Sequence, residues 1–223
     1  MRASVVRHVV SGSVVLLLAT ALAHTSSVAR AADAPKPTTR PTSSVTGTVT
    51  AESEVPLSEM VVYLESPDPN RPMPPVPPPA TVSQKSAKFD PPMTVVTIGQ
   101  AVNFPNDEDK PIDHNVFSTS PAKRFDLGLY GPGKEKTVTF DKPGPVFLFC
   151  SIHRYMDGVV YVSPTPYTSR VDKTGHYEIK NVPPGQWTLK TWQRRRRFPE
   201  MTIPINVPAD KPATVDFELK KKK

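Results

Sequence analysis

Within VFLFCSIHRYMDGVVYV the chain places Cys150, His153 and Met156 at intervals of three, between two apolar runs of strand composition. Their side chains are a thiol, an imidazole and a thioether. Soft sulfur combined with imidazole selects copper, and a trigonal set of two His and one Cys with a weak axial Met is the ligand set of a blue-copper electron-transfer centre. A second imidazole must then come from a neighbouring strand. PIDHNVFSTSP supplies His114, between an acidic loop and the β-type pair Val116-Phe117. A bare Cys-x-x-His also fits a buried free thiol beside a surface histidine. The added Met and the strand–loop–strand setting favour a metal site instead. Structural zinc wants four Cys/His ligands, and dithiol chemistry is excluded because Cys150 is the only cysteine. One copper per chain is the expectation.

The histidines limit what such a centre could do. Of the five, His8 and His24 lie in or beside the leader, two belong to the site, and only His176 is left. A copper oxidase or nitrite reductase needs further imidazoles for a second centre, so the expected role is one-electron transfer, not enzymatic catalysis. A copper carrier or sequestering module would use the same four ligands. A glycan- or protein-binding sandwich with an accessory copper site is a third reading.

The elements that must hold these ligands are β-strands. Residues 1–31 carry Arg2 and Arg7, an apolar run over 14–23 and small residues at the end, the three-part layout of a secretory signal cleaved after Ala23 or Ala31. The protein is therefore expected to be exported, periplasmic or extracellular. No later run is long enough to span a bilayer. Residues 32–44 read as a flexible leader, and 67–80, PDPNRPMPPVPPPA, as a proline-rich linker of extended conformation. Short β-type runs separated by turn residues fill 45–66, 81–163 and 165–220, and no amphipathic helix is seen. Strands are expected at 45–49, 61–64, 93–98, 101–104, 136–140, 145–150, 158–162, 167–171, 176–182, 186–193, 201–207 and 214–219. The class is all-β, as two sandwiches or barrels.

Several features could mislead. By alternation His176 faces solvent, and odd spacing puts Trp187 and Trp192 on opposite faces of one strand, so at least one is core. The run Arg194, Arg195, Arg196, Arg197 is either a docking patch for an acidic redox partner or a solvated strand edge. Asp107-Glu108-Asp109 reads as loop charge. The formal charge is +7, but Arg2, Arg7 and Arg30 fall in the leader. The mature chain is only mildly basic, and nucleic acid is not an expected partner.

Cys150-x-x-His153-x-x-Met156-Asp157-Gly158 resembles the ligand loop of amicyanin, and DHNVF resembles the His-Asn-Val segment of plastocyanins and amicyanins. The resemblance implies a Greek-key cupredoxin sandwich over 81–163. It also implies that Asn115 bonds across to the Cys150-Ser151 turn, and that His153 exposes a ring edge where a redox partner docks, near Ile152 and Tyr155. SPAKRFDLGLY, FCSIHRYM, YVSPTPYT and GHYEIKNVPPGQWTLKTW together resemble the exported, methylamine-utilisation-like cupredoxin proteins. The last of these segments resembles the carboxypeptidase-regulatory, transthyretin-like β-sandwich. That implies a second sandwich made of 45–66 plus 165–220, with the cupredoxin inserted in it or packed beside it. Its expected core includes Val49, Val62, Leu64, Tyr177, Ile179, Leu189 and Phe217.

Overall fold

The computed structural model describes residues 42–52 and 56–221, so the signal over 1–31 and most of the 32–44 leader lie outside the described residues. Among the described residues there is no α-helix, only a 3-10 turn at Leu57–Glu59. Before the proline tract run β1 (Ser43–Ala51) and β2 (Met60–Glu65). After it come β3 (Ala80–Thr81), β4 (Ser83–Lys85), β5 (Lys88–Asp90), β6 (Met93–Thr97), β7 (Ala101–Pro105), β8 (His114–Ser120), β9 (Lys123–Tyr130), β10 (Glu135–Thr139), β11 (Gly144–Phe149) and β12 (Asp157–Ser163). Then follow β13 (Thr168–Arg170), β14 (His176–Val182), β15 (Gly185–Gln193), β16 (Thr202–Val207), β17 (Ala213–Thr214) and β18 (Phe217–Leu219).

These strands form two sandwiches. In the first, β1 lies between β14 and the pair β17 and β18, and faces a sheet of order β13-β2-β15-β16. Val45, Val49, Val62, Leu64, Tyr177, Ile179, Trp187 and Leu189 fill the space between the sheets, and Phe217 packs at its edge. In the second, a five-stranded sheet of order β6-β12-β11-β8-β9 faces β10-β7-β3. Val102, Phe104, Val116, Phe140, Val146, Leu148, Val160 and Val162 form its core. β6 joins β12 in parallel, whereas β12–β11, β11–β8 and β8–β9 are antiparallel.

A third apolar cluster joins the two sandwiches. Val61, Tyr63 and Trp192 of β2 and β15 pack on Met93, Val159 and Tyr161 of β6 and β12. This explains why MVVYL is buried at every residue of β2 from Met60 to Leu64: a strand covered on both faces reads as a continuous apolar run, not as an alternation. It also explains why both tryptophans are buried. Trp187 points into the first core, while Trp192, on the opposite face, stacks on Tyr161 at 4.7 Å between ring centroids.

Several stretches differ from the expected strands, among them β8, of which only Val116-Phe117 is expected as β-type. The run over 214–219 divides into β17 and β18, because the Asp216 carboxylate accepts the Thr48 N–H at 2.7 Å where a ladder bond would lie. β9 was not legible, since KRFDLGLY is charged and carries a glycine with φ +64° at Gly128. The hairpin β4–β5 was not legible either. Its turn, Ser86-Ala87, lacks the Asn-Gly signature of such turns, yet both residues adopt left-handed φ of 52° and 51°.

Candidate metal centre

The centre sits at one end of the five-stranded sheet. β11 ends at Phe149 and β12 begins at Asp157, so residues 150–156 form the connecting loop. β8 runs antiparallel beside β11, with Phe149 opposite Phe117, and this register brings the start of β8 alongside the loop. The Met156 N–H donates to the His153 carbonyl at 2.9 Å, closing the loop back on itself.

His114, Cys150 and His153 each present one donor atom, all within 4.8 Å of one another. His114 Nδ1 lies 3.1 Å from His153 Nδ1, and Cys150 Sγ lies 3.8 Å from the same nitrogen. Metal–nitrogen bonds of about 2.0 Å and metal–sulfur bonds of about 2.3 Å would separate donors of a trigonal plane by roughly 3.5–3.7 Å. The two separations that involve His153 are within a few tenths of an ångström of these values, whereas Cys150 and His114, within 4.8 Å of each other, would have to close by up to about 1 Å around a single ion. His114 and Cys150 are buried, while His153 is partly exposed. Met156 is also buried, in the same apolar cluster as Cys150.

Asn115 spans the two ligand-bearing segments. Its Oδ1 accepts the Ser151 N–H at 3.3 Å, and its Nδ2 donates to Asp126 Oδ1 at 2.7 Å. Asp126 also accepts the Gly128 N–H at 2.8 Å. These two donors, the Gly128 amide first, hold its carboxyl below the usual aspartate range.

Sequence reasoning passed over Glu108. Reading Asp107-Glu108-Asp109 as loop charge holds for Asp107 and Asp109, which are exposed, but not for Glu108; all three acids are also tied to the β4–β5 hairpin. Ser83 Oγ donates to Asp107 Oδ2 at 2.6 Å, the Ala87 N–H to Glu108 Oε1 at 2.8 Å, and Lys85 Nζ meets Asp109 Oδ2 at 3.3 Å. The Glu108 side chain is only 7% exposed, and the same Oε1 lies 2.8 Å from His114 Nε2. Burial pushes the Glu108 carboxyl up, but the Ala87 and Ser86 amides and the His114 ring outweigh it and hold it below the usual value. No short-range signal marks Glu108, since its burial depends on a hairpin distant in sequence. Behind it, Gln84 Nε2 donates to the Tyr130 hydroxyl at 2.5 Å, and that hydroxyl donates to the Phe104 carbonyl at 2.9 Å. Tyr130 is pushed up to about 12, chiefly by burial.

The rim beside His153 is apolar. Ile152 is 51% and Tyr155 69% exposed, and Leu129 and Phe149 are exposed as well. Arg194, by contrast, is only 12% exposed and pairs with Glu59 and Asp157. Arg195 meets Glu59 at 2.8 Å. Arg195, Arg196 and Arg197 are exposed.

Solved structures to which the chain is similar include cupredoxins. A purple cupredoxin from Nitrosopumilus maritimus aligns at 22% identity over 38% of this chain and 99% of that one, with a TM-score of 0.34. A reduced Cu(I) amicyanin mutant at pH 4 aligns at 21% identity over 38% of this chain and 81% of that one, also at 0.34. An oxidized amicyanin mutant gives 20%, 38%, 81% and 0.34. No family model matches the chain, and no curated protein matches it. No helix among the described residues is long and apolar enough to cross a membrane.

Proposed function

We propose that this chain is an exported, single-copper protein of the type 1 class that carries electrons one at a time and is not an enzyme. In this reading His114, Cys150 and His153, together with Met156 of the same loop, would hold the copper. The observation that carries it is the convergence of one thiol and two imidazole donors within 4.8 Å at the end of a β-sandwich. A bound copper would supply the Cu(I)/Cu(II) couple. Around it, burial keeps water from Cys150, the Asn115 bonds limit movement between β8 and the ligand loop, and the packed Met156 side chain leaves that loop little freedom to rearrange with oxidation state. His176, the remaining histidine outside the leader, belongs to the flanking sandwich, where its Nε2 lies 3.1 Å from Thr46 Oγ1. That placement supports a carrier with one centre.

The leader over 1–31 supports export to a periplasmic or extracellular space, and the segment resemblances support kinship with the methylamine-utilisation-like proteins and a transthyretin-like flanking sandwich. The partner is another redox protein. Exposed Ile152 and Tyr155 beside the partly exposed His153 support docking at the apolar rim. Arg194 is engaged with Glu59 and Asp157, so any cationic contribution falls to Arg195, Arg196 and Arg197. Visible spectroscopy of the copper-loaded protein tests the reading. An intense thiolate-to-copper band at one copper per chain, absent from Cys150→Ser, is expected. Uptake of Cu(II) without colour refutes it. Fast electron self-exchange with slow loss of copper to a chelator separates electron transfer from copper carriage.

A further inference from the structure

Glu108 is a buried carboxylate bound to the far side of a ligand ring, and the fold goes to some trouble to keep it there. At the tip of β4–β5, Ser86 and Ala87 both occupy the left-handed region, which is disfavoured for residues with a Cβ and is usually reserved for Gly and Asn. In this conformation the Ala87 amide donates to Glu108 Oε1 at 2.8 Å. Backbone strain retained beside a site points to a role for what it holds. The hairpin is seated next to the ligand loop by Phe89, which packs so closely on Gly158 that a Cβ there would approach its ring at 3.2 Å. Asp107 fastens the segment that carries Glu108 to the same hairpin, its N–H donating to the Gln84 carbonyl at 3.0 Å.

We infer that Glu108 is a positioning residue for His114, holding the proton on Nε2 so that Nδ1 is the free donor facing Cys150 and His153, and biasing the centre toward its more highly charged metal state. The first half follows from donor and acceptor roles. A neutral imidazole carries one N–H, and an ionised carboxylate only accepts. Oε1 at 2.8 Å from Nε2 therefore requires the proton there. Partners of this kind orient metal-binding histidines and raise their basicity. The second half follows from charge. The carboxylate attracts Cu(II) more strongly than Cu(I), and the desolvated surroundings leave that difference poorly screened. This half rests on the copper reading given above; the first does not.

Two variants and two measurements separate the claims. Because one oxygen, Oε1, takes both the Ala87 and His114 bonds, Glu108→Gln can keep both while losing the charge. Glu108→Ala loses both. Imidazole ¹⁵N NMR of the metal-free protein is expected to show His114 protonated at Nε2 in wild type and Glu108→Gln, and shifted toward the Nδ1-protonated form in Glu108→Ala. An unchanged tautomer in Glu108→Ala overturns the positioning role, whatever the metal. With copper bound, Glu108→Gln is expected to lower the ratio of Cu(II) to Cu(I) affinity by about tenfold, the lower end of outer-shell effects, which is a rise in potential of about 59 mV. A ratio within twofold of wild type, in protein that shows the thiolate band, overturns the electrostatic role. A protein without that band refutes the copper reading and leaves the tautomer result to decide the rest.

Discussion

Trp192 offers the sharpest test of how the two sandwiches are held together. Its ring is buried and stacks on Tyr161 with an interplanar angle of 24°. Its Nε1–H finds no hydrogen-bond partner. Truncating a buried Trp to Ala costs about 3–5 kcal/mol, but here the variant also ceases to bury an unpaired N–H, which returns about 1–3 kcal/mol. The net loss for Trp192→Ala should thus centre on roughly 2 kcal/mol, or a fall in Tm of about 4–8 °C for a chain of this size. Trp192→Phe keeps an aromatic face against Tyr161 and removes the unpaired donor, so it should lie within about 1 kcal/mol of wild type. Urea and thermal unfolding followed by circular dichroism measure both. A loss below about 1 kcal/mol in Trp192→Ala would mean that the cluster between the sandwiches contributes little. Equal damage in both variants would mean that the indole N–H is bonded after all.

Two further outcomes concern backbone contact and pH. A Cβ on Gly47 would stand 2.0 Å from the Val215 carbonyl oxygen, a backbone atom with no freedom to swing aside; Gly47→Ala should lower stability by at least about 2 kcal/mol, and an unchanged urea midpoint would contradict the close approach of β1 to the segment between β17 and β18. Asp126 has a folded-state pKa below its unfolded value, so its contribution is present above the ordinary aspartate range near about 3.9 and is lost as pH falls through the lower, folded value. Wild type should accordingly exceed Asp126→Asn in stability at neutral pH, with the gap narrowing in acid. A gap independent of pH between neutrality and acid would show that the carboxylate charge is not what Asn115 and Gly128 recognise.

The chemistry-bearing loop is legible because it is local. Cys150, His153 and Met156 lie on one short connection, and side-chain type with spacing is enough to single them out as candidates. The same holds for strands such as His176–Val182, where alternation under a single covered face sets both the element and its orientation. Val49, Val62, Leu64, Tyr177, Ile179 and Leu189 are core residues that could be picked out in this way. Phe217 lies at the margin of that core, because β18 pairs at the edge of its sheet.

What the chain could not reveal by itself depends on contacts between distant residues. VVYL announces a strand, but only the fold shows that it is buried on both faces and that Val159 and Tyr161 cover the second one. Glu108 sits in an acidic, hydrophilic run, and nothing nearby distinguishes a solvated carboxylate from one enclosed by Ala87, Ser86 and His114. Which nitrogen of His114 faces Cys150 is likewise decided by the group behind the ring. Residue type and periodicity encode backbone conformation and the side of an element that seeks burial, both of which act within a few residues. Desolvation, hydrogen-bond partnership and ring orientation are settled only when β4–β5, β8 and the ligand loop meet in space.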